Sequence, residues 1–275
     1  MPGFLGQAYI LFTMHVRTHY VALCLSLTAT PVLAADFRAY PFLHYFDYTE
    51  YDDNGDFLDG ETGWLPGFGM AYAETLEAHS FGVRFELAGG TVDYDGETQT
   101  GIPHETETET ILYRFGLDYA YTLPAERFQL VMGADYVGWD RDIQPNYNPL
   151  VGGVVGGLLE EYRWWELHAG IDALLYARNR HSGSVRLEAL YIADPQMTVV
   201  NLGNTELYMG EEPGYRVTGR YLYRAPEAWS VGVEAYWEEW EFGRSDAVNS
   251  PIGPILEPRS ETQHRGIRLI VEQRF

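Results

Sequence analysis

The residues of this sequence with chemistry to offer are a few short acidic motifs, two His-Ser pairs and a series of arginines. Asp93-Tyr-Asp95 sets two carboxylates two residues apart, and Asp194-Pro-Gln196 repeats the spacing with an amide in the second place. Carboxylates of this kind activate water when they face a general base, and Gln196 is not one. His79-Ser80 and His181-Ser182 are adjacent rather than spaced as a nucleophile and the base that serves it. Asp52-Asp-Asn-Gly-Asp56 has the Asp-x-Asn-x-Asp opening of a calcium loop, but Phe57 stands where that loop needs Gly and Gly63 where it needs a bidentate Glu. It reads as a solvated acidic loop. The sequence therefore assigns no catalytic residue, no metal and no cofactor.

The elements that must carry these residues follow from a period of two. Ile111, Tyr113, Phe115, Leu117, Tyr119 and Tyr121 alternate with Leu112, Arg114, Gly116, Asp118, Ala120 and Thr122, one face apolar and the other mixed and charged. The same alternation runs from Phe81, Phe128, Trp164, Val185, Tyr215, Trp229 and Gly266, giving strands three to ten. Asp36 to Tyr51 is aromatic at both parities, which predicts a bulge or a strand longer than a membrane is thick. Trp64 to Leu76 is the Gly-rich return strand. Connections after strands two, four, six and eight are short; the others are long and polar. Glu97 to Glu109 is expected to be a mobile loop. Asn148 to Leu159, unusually apolar, is expected to extend strand six, fold into a mouth or offer a contact surface.

The charged face gathers Arg84, Arg114, Arg186, Arg216, Arg220, Arg224, Arg268 and Arg274 against Glu86, Asp118, Asp135, Glu166, Asp172, Glu188, Glu234, Glu238 and Glu272, with His168 among them. Eight positive charges nearly cancel nine negative, which predicts a lumen crosslinked by Arg–carboxylate pairs rather than filled with water. The row Arg216, Arg220, Arg224 is the alternative, a narrow ion pathway. The apolar face carries no formal charge in these runs, and an Arg facing lipid costs about 2–4 kcal/mol near the midplane.

The 275 residues carry a formal charge of −22 with 18 Arg and no Lys, which disfavours nucleic acid as a partner. His15 to His19, Tyr20 to Thr30 and Val32-Leu-Ala34 read as the parts of a signal peptide over residues 1–34, with Met14 an alternative start. Its removal takes Cys24, the one cysteine, with it; Leu23 before that Cys is wrong for lipidation. No apolar run beyond residue 36 is long enough for a membrane helix, so spanning falls to strands.

The final strand, Gly266 to Phe275, ends on an aromatic residue and resembles the closing strand of Gram-negative outer-membrane β-barrels, in which the terminal Phe belongs to the signal read by the assembly machinery. The resemblance implies an all-β, antiparallel up-and-down transmembrane barrel of about ten strands over residues 35–275, located in the outer membrane. It further implies short periplasmic turns, long extracellular loops, Phe275 as assembly signal, and outer-membrane lipid, lipopolysaccharide and the barrel assembly machinery as partners. The strand count and the two acidic motifs also resemble the omptins, outer-membrane proteases with an Asp-x-Asp and an Asp-x-His; the second motif is broken here at Gln196. Outer-membrane lipid A deacylases use a His-x-Ser arrangement that His79-Ser80 and His181-Ser182 do not match. The function expected is a non-enzymatic barrel with acidic surface loops, structural or interacting with an extracellular ligand. A small passive channel and an inactive omptin relative are the alternatives.

Overall fold

A computed structural model describes residues 34–98 and 101–275; the expected signal peptide, Met14 and Cys24 lie outside the described residues. Ten long strands follow in order: β1 Ala34–Tyr51, β2 Phe57–Leu76, β3 His79–Glu97, β4 Pro103–Thr122, β5 Phe128–Ile143, β6 Leu158–Arg178, β7 His181–Val199, β8 Pro213–Arg224, β9 Trp229–Phe242 and β10 Arg259–Arg274. Each pairs antiparallel with its neighbours, and β1 pairs with β10, so the sheet closes on itself. The Phe275 N–H donates to the Ala35 carbonyl at 2.8 Å, completing the seam at the end that holds the tight turns. Closure leaves no strand edge unpaired, the condition a sheet must meet to lie in hydrocarbon.

The outward faces form one apolar belt. On β10 it includes Ile267, Leu269 and Val271, continued by Phe275 just past the strand; on β4, Ile111, Phe115 and Leu117; on β6, Trp165, Leu167, Ile171 and Leu175, all exposed. From Ile267 to Phe275 the belt runs about 26 Å along the strand at the usual rise per residue. The chain is thus a ten-stranded transmembrane β-barrel, with short turns at one end and long loops at the other.

Most strands continue well past the belt at the loop end, where the outward residues change to Asp47, Asp93, Asp95, Glu105, Glu107, Asp140, Glu239 and Glu261. This corrects the expected loop over 97–109. Pro103 to Thr110 is the start of β4, with Thr108 and Thr110 buried inward and the glutamates outward, because above the belt the outer wall meets water rather than lipid. The expected bulge in the first strand is confined to Glu50/Tyr51. Elsewhere β1 is regular, with Tyr40, Phe42, His44, Phe46, Tyr48 and Glu50 inward and buried. The Gly-rich β2 makes room for them: a Cβ on Gly67 would lie 2.2 Å from the Phe42 ring and one on Gly69 2.2 Å from the Tyr40 ring.

The strand pair β3–β4 recurs in β7–β8. His79-Ser80…Val83-Arg84…Glu86 returns as His181-Ser182…Val185-Arg186…Glu188, and Tyr113-Arg114 as Tyr215-Arg216. The pairing His79↔Tyr121 becomes His181↔Tyr223, so each residue lies 102 positions after its counterpart in the same register.

Candidate functional site

The alternation that turns apolar residues to lipid turns the charges into the barrel, and within the belt they meet around a quartet. Arg114 donates to Glu238 at 3.1 and 2.6 Å and to Glu166 at 3.1 Å, while Arg216 bonds the same two glutamates. Arg114 and Arg216 are counterparts in the repeated strand pairs, so the repeat supplies both guanidinia of the quartet. Arg84 lies 2.8 Å from Asp135 and 4.0 Å from Asp118. Arg268 reaches Glu234 at 2.6 Å and Glu86 at 3.1 Å, and its guanidinium covers the Tyr236 ring at 4.1 Å. Arg220 bonds Glu234, Arg186 bonds Asp172, and Arg38 bonds Glu272. His168 Nδ1 stands 3.1 Å from Glu188 and its Nε2 3.5 Å from Asp118. Arg224, placed inward by parity, lies exposed at the turn end without an ion pair among the described residues, because the strand ends there. Arg274 is also near that rim, paired with Asp36 at 2.9 Å.

A cavity of about 20 Å³ lies beside the quartet, lined by Phe42, His44, Glu86, Arg114, Glu238 and His264 among others. That is room for roughly one water molecule, not for a conduit. His44 and His264 stack with ring centroids 4.6 Å apart at its wall.

Above the belt the lumen is filled a second time. Trp139 stacks on Tyr162 at 4.7 Å, Trp164 packs tilted against Trp240 at 5.0 Å and edge-on to Phe242 at 5.1 Å, and Phe46 meets Trp139 at 5.4 Å. Leu65, Ile192, Met197 and Leu207, all buried, pack around these rings. Embedded in this plug is a buried charge ring. Arg141 bonds Glu61 at 2.8 Å, Glu160 at 2.9 Å, Glu50 at 3.0 Å and Asp59 at 3.3 Å. The Tyr48 hydroxyl lies 2.8 Å from Glu50 and 3.2 Å from Glu257; that of Tyr162 lies 2.7 Å from Glu257 and 3.2 Å from Glu160. Burial, together with neighbouring carboxylates and against the pull of Arg141, raises Glu50 well above the usual carboxylate range and pushes Glu257 up to about 8. Burial likewise raises Asp59 and Glu61, again opposed by Arg141. Arg38, Arg141 and these acids were missed by sequence reasoning. The signal for Arg141 is the alternation Val137, Trp139, Arg141 inward, which continues past the apolar outer run.

The motifs with catalytic spacing do not converge. Asp93 and Asp95 face outward on β3, either side of the buried Tyr94. Asp194 and Gln196 lie on β7, four strands away, where Gln196 Nε2 donates to Asp194 at 3.1 Å. His79 and His181 stand at the turn end, bonded to the hydroxyls of Tyr119 at 2.8 Å and Tyr221 at 2.7 Å. Asp52 spends its carboxylate on its own loop, accepting from the backbone N–H of Asn54 and of Asp56, both at 2.8 Å. Among the described residues no group of His, Cys, Asp and Glu is arranged to hold a metal ion. The apolar loop forms a hairpin, Asn146–Asn148 with Gly153–Val155, whose tip residues Leu150, Val151 and Val154 are exposed.

No protein-family model and no curated protein sequence matches the chain. Among solved structures it is similar to the outer-membrane protease OmpT from Escherichia coli, with a TM-score of 0.60 at 11% identity, covering 88% of this chain and 96% of that one. Weaker likenesses are to an outer-membrane channel from Pseudomonas putida F1 (TM-score 0.44, 13% identity, 90% and 97% covered) and to the outer-membrane protein OprG from Pseudomonas aeruginosa (0.38, 11%, 88% and 96%). At such identities the likeness is one of fold: the fold is that of outer-membrane β-barrels.

Proposed function

We propose that this protein is an integral outer-membrane barrel with a sealed lumen, presenting an acidic loop end at the cell surface in a structural or surface-interaction role. The observation that carries this reading is the double closure: the Arg114–Glu166–Arg216–Glu238 quartet within the belt and the aromatic plug above it. An open channel needs continuous water past both, and the cavity beside the quartet has room for about one molecule. The acidic outer wall stands at the height of lipopolysaccharide headgroups, its nearest partner in such a membrane, and Phe275 at the seam is the assembly signal. Planar-bilayer recording tests the seal: the purified barrel gives no steady openings, and reproducible conductance steps sink the reading. The fold likeness to OmpT favours, as a second reading, descent from a protease whose chemistry is lost. A fluorogenic peptide left intact by the purified barrel agrees with it; turnover abolished by Asp93→Ala overturns it.

A further inference from the structure

The charge ring at the mouth contains more acid than its cations and phenols can serve. Five carboxyl groups, Glu50, Asp59, Glu61, Glu160 and Glu257, surround the single guanidinium of Arg141. Glu50, Glu61, Glu160 and Glu257 are all at most 6% exposed, and the Oε2 atom of Glu61 is buried without a partner. Charges so enclosed must be paired or neutralised.

Tyr48 and Tyr162 make four oxygen–oxygen contacts with Glu50, Glu160 and Glu257, at 2.7–3.2 Å. Two phenols bring two hydrogens. Each contact needs its own, so with every carboxyl ionised two oxygen pairs would meet lone pair to lone pair. The missing hydrogens must sit on carboxyl groups. Glu257 is the group placed to hold one: its Oε1 contacts both phenols, so a proton on it can be donated to one while the other donates to it, and Arg141 makes no hydrogen bond to it, whereas Glu50 and Glu160 each bond that guanidinium.

Glu257 is also the one acid of the ring that comes from a loop. Its side chain reaches Tyr48 and Tyr162 of the plug, while its backbone closes the 243–258 connection on itself, the N–H donating to Ser245 Oγ at 2.8 Å and the carbonyl accepting from the Ser245 N–H at 2.9 Å. The groups facing it are Tyr48 and Glu50 from β1, Asp59 from β2, Arg141 from β5, and Glu160 and Tyr162 from β6. Loop residue Arg244 turns away to Asp53 at 3.1 Å.

We propose that the protonated Glu257 carboxyl is a latch that fastens the last loop into the barrel mouth, and that loss of its proton releases the loop. The direction follows from the burial that raises Glu257 from the ordinary 4.5 to about 8. The docked form binds the proton more tightly than the released form, so docking is fully favoured at acid pH, weakens as pH rises from about 4.5, and has lost this contribution above about 8. The inference goes beyond the sealed-barrel reading and does not require the belt quartet to block ions.

The test is amide hydrogen exchange of the full barrel in detergent between pH 6 and pH 10, with the exposed 146–155 hairpin as internal control for base-catalysed exchange. Residues 244–257 are expected to lose protection about tenfold per pH unit between pH 6 and pH 8 beyond the control, the slope of one linked proton, and to run parallel to the control above about pH 8. Glu257→Gln, which keeps a neutral hydrogen-bonding head, is expected to remove that extra slope. A second measurement guards against a misfolded variant: infrared spectra of the wild-type barrel at pH 7 should contain a protonated carboxyl band that loses intensity by pH 10. Equal slopes in both loops, an unchanged slope in the Gln variant, or no such band at pH 7 each overturn the latch. A barrel that is silent in bilayers yet gives any of these results loses the latch and keeps the seal.

Discussion

Replacing Arg114 with Met removes one guanidinium from the centre of the lumen while keeping an unbranched side chain of similar reach. Glu166 and Glu238 lose the bonds at 3.1, 3.1 and 2.6 Å, and Asp135 loses a charge 3.7 Å away. All three carboxylates are essentially buried, and Arg216 alone is left to serve both glutamates. Removing one partner from a buried ion pair costs about 3–5 kcal/mol, because the other charge stays behind uncompensated. In a water-filled lumen the same change would cost no more than an exposed pair does, about 1 kcal/mol or less. The size of the loss therefore reports whether the barrel is dry. Reversible urea unfolding in phospholipid vesicles, followed by tryptophan fluorescence, measures it as a shift of midpoint at constant slope. Adding Glu238→Gln should recover about 2 kcal/mol, since the pair is then removed together and the two changes share one network. A loss under 1 kcal/mol, or a double variant whose cost is the sum of the singles, would refute the packed charge core.

Gly69→Val is expected to destabilise the barrel by about 1–3 kcal/mol through overpacking, since its Cβ would fall 2.2 Å from the Tyr40 ring, whose hydroxyl donates to Glu86 at 2.8 Å; Gly219→Ala, with open space around the added Cβ, is the control that should fold normally, and equal behaviour of the two speaks against the Tyr40 packing. Gln196→His restores the residue type of the broken motif but not its geometry, because Asp93 and Asp95 face outward four strands away; peptide cleavage gained by this variant would show that the mouth rearranges. Deleting Phe275 removes two backbone hydrogen bonds to Ala35 at the seam, one at 2.8 Å and a long one at 3.5 Å, worth about 1–2 kcal/mol together, so unfolding should change little while the heat-modifiable fraction recovered from outer membranes falls several-fold. A large loss of stability with normal recovery would instead make Phe275 a structural residue.

Which parts of this barrel can be read from the chain depends on the solvent that each stretch of wall meets. Between Ile111 and Tyr121 the outer face meets lipid, so outward residues must be apolar, inward ones are free to be charged, and the period of two is plain. Two to six residues earlier on the same strand, Glu105, Glu107 and Glu109 also face outward, but into water, and the threonines between them face inward. Apolar and polar no longer distinguish the faces, so a regular strand looks like a polar loop although its geometry is unchanged. The same inversion hid Arg141, flanked by outward Asp140 and Asp142, and with it the mouth ring. On β1 the difficulty is opposite: Tyr40, Phe42 and Phe46 are inward and Phe37, Leu43 and Tyr45 face the belt, so both faces are aromatic and their parity is settled only by the neighbour. The deciding residues are Gly67 and Gly69 on β2, directly paired with Phe42 and Tyr40, which leave an aromatic ring nowhere to lie except across them. Glu257 is the extreme case. Nothing in its local sequence marks a loop glutamate as buried, because its surroundings come from β1, β2, β5 and β6, which only closure of the sheet brings to one point.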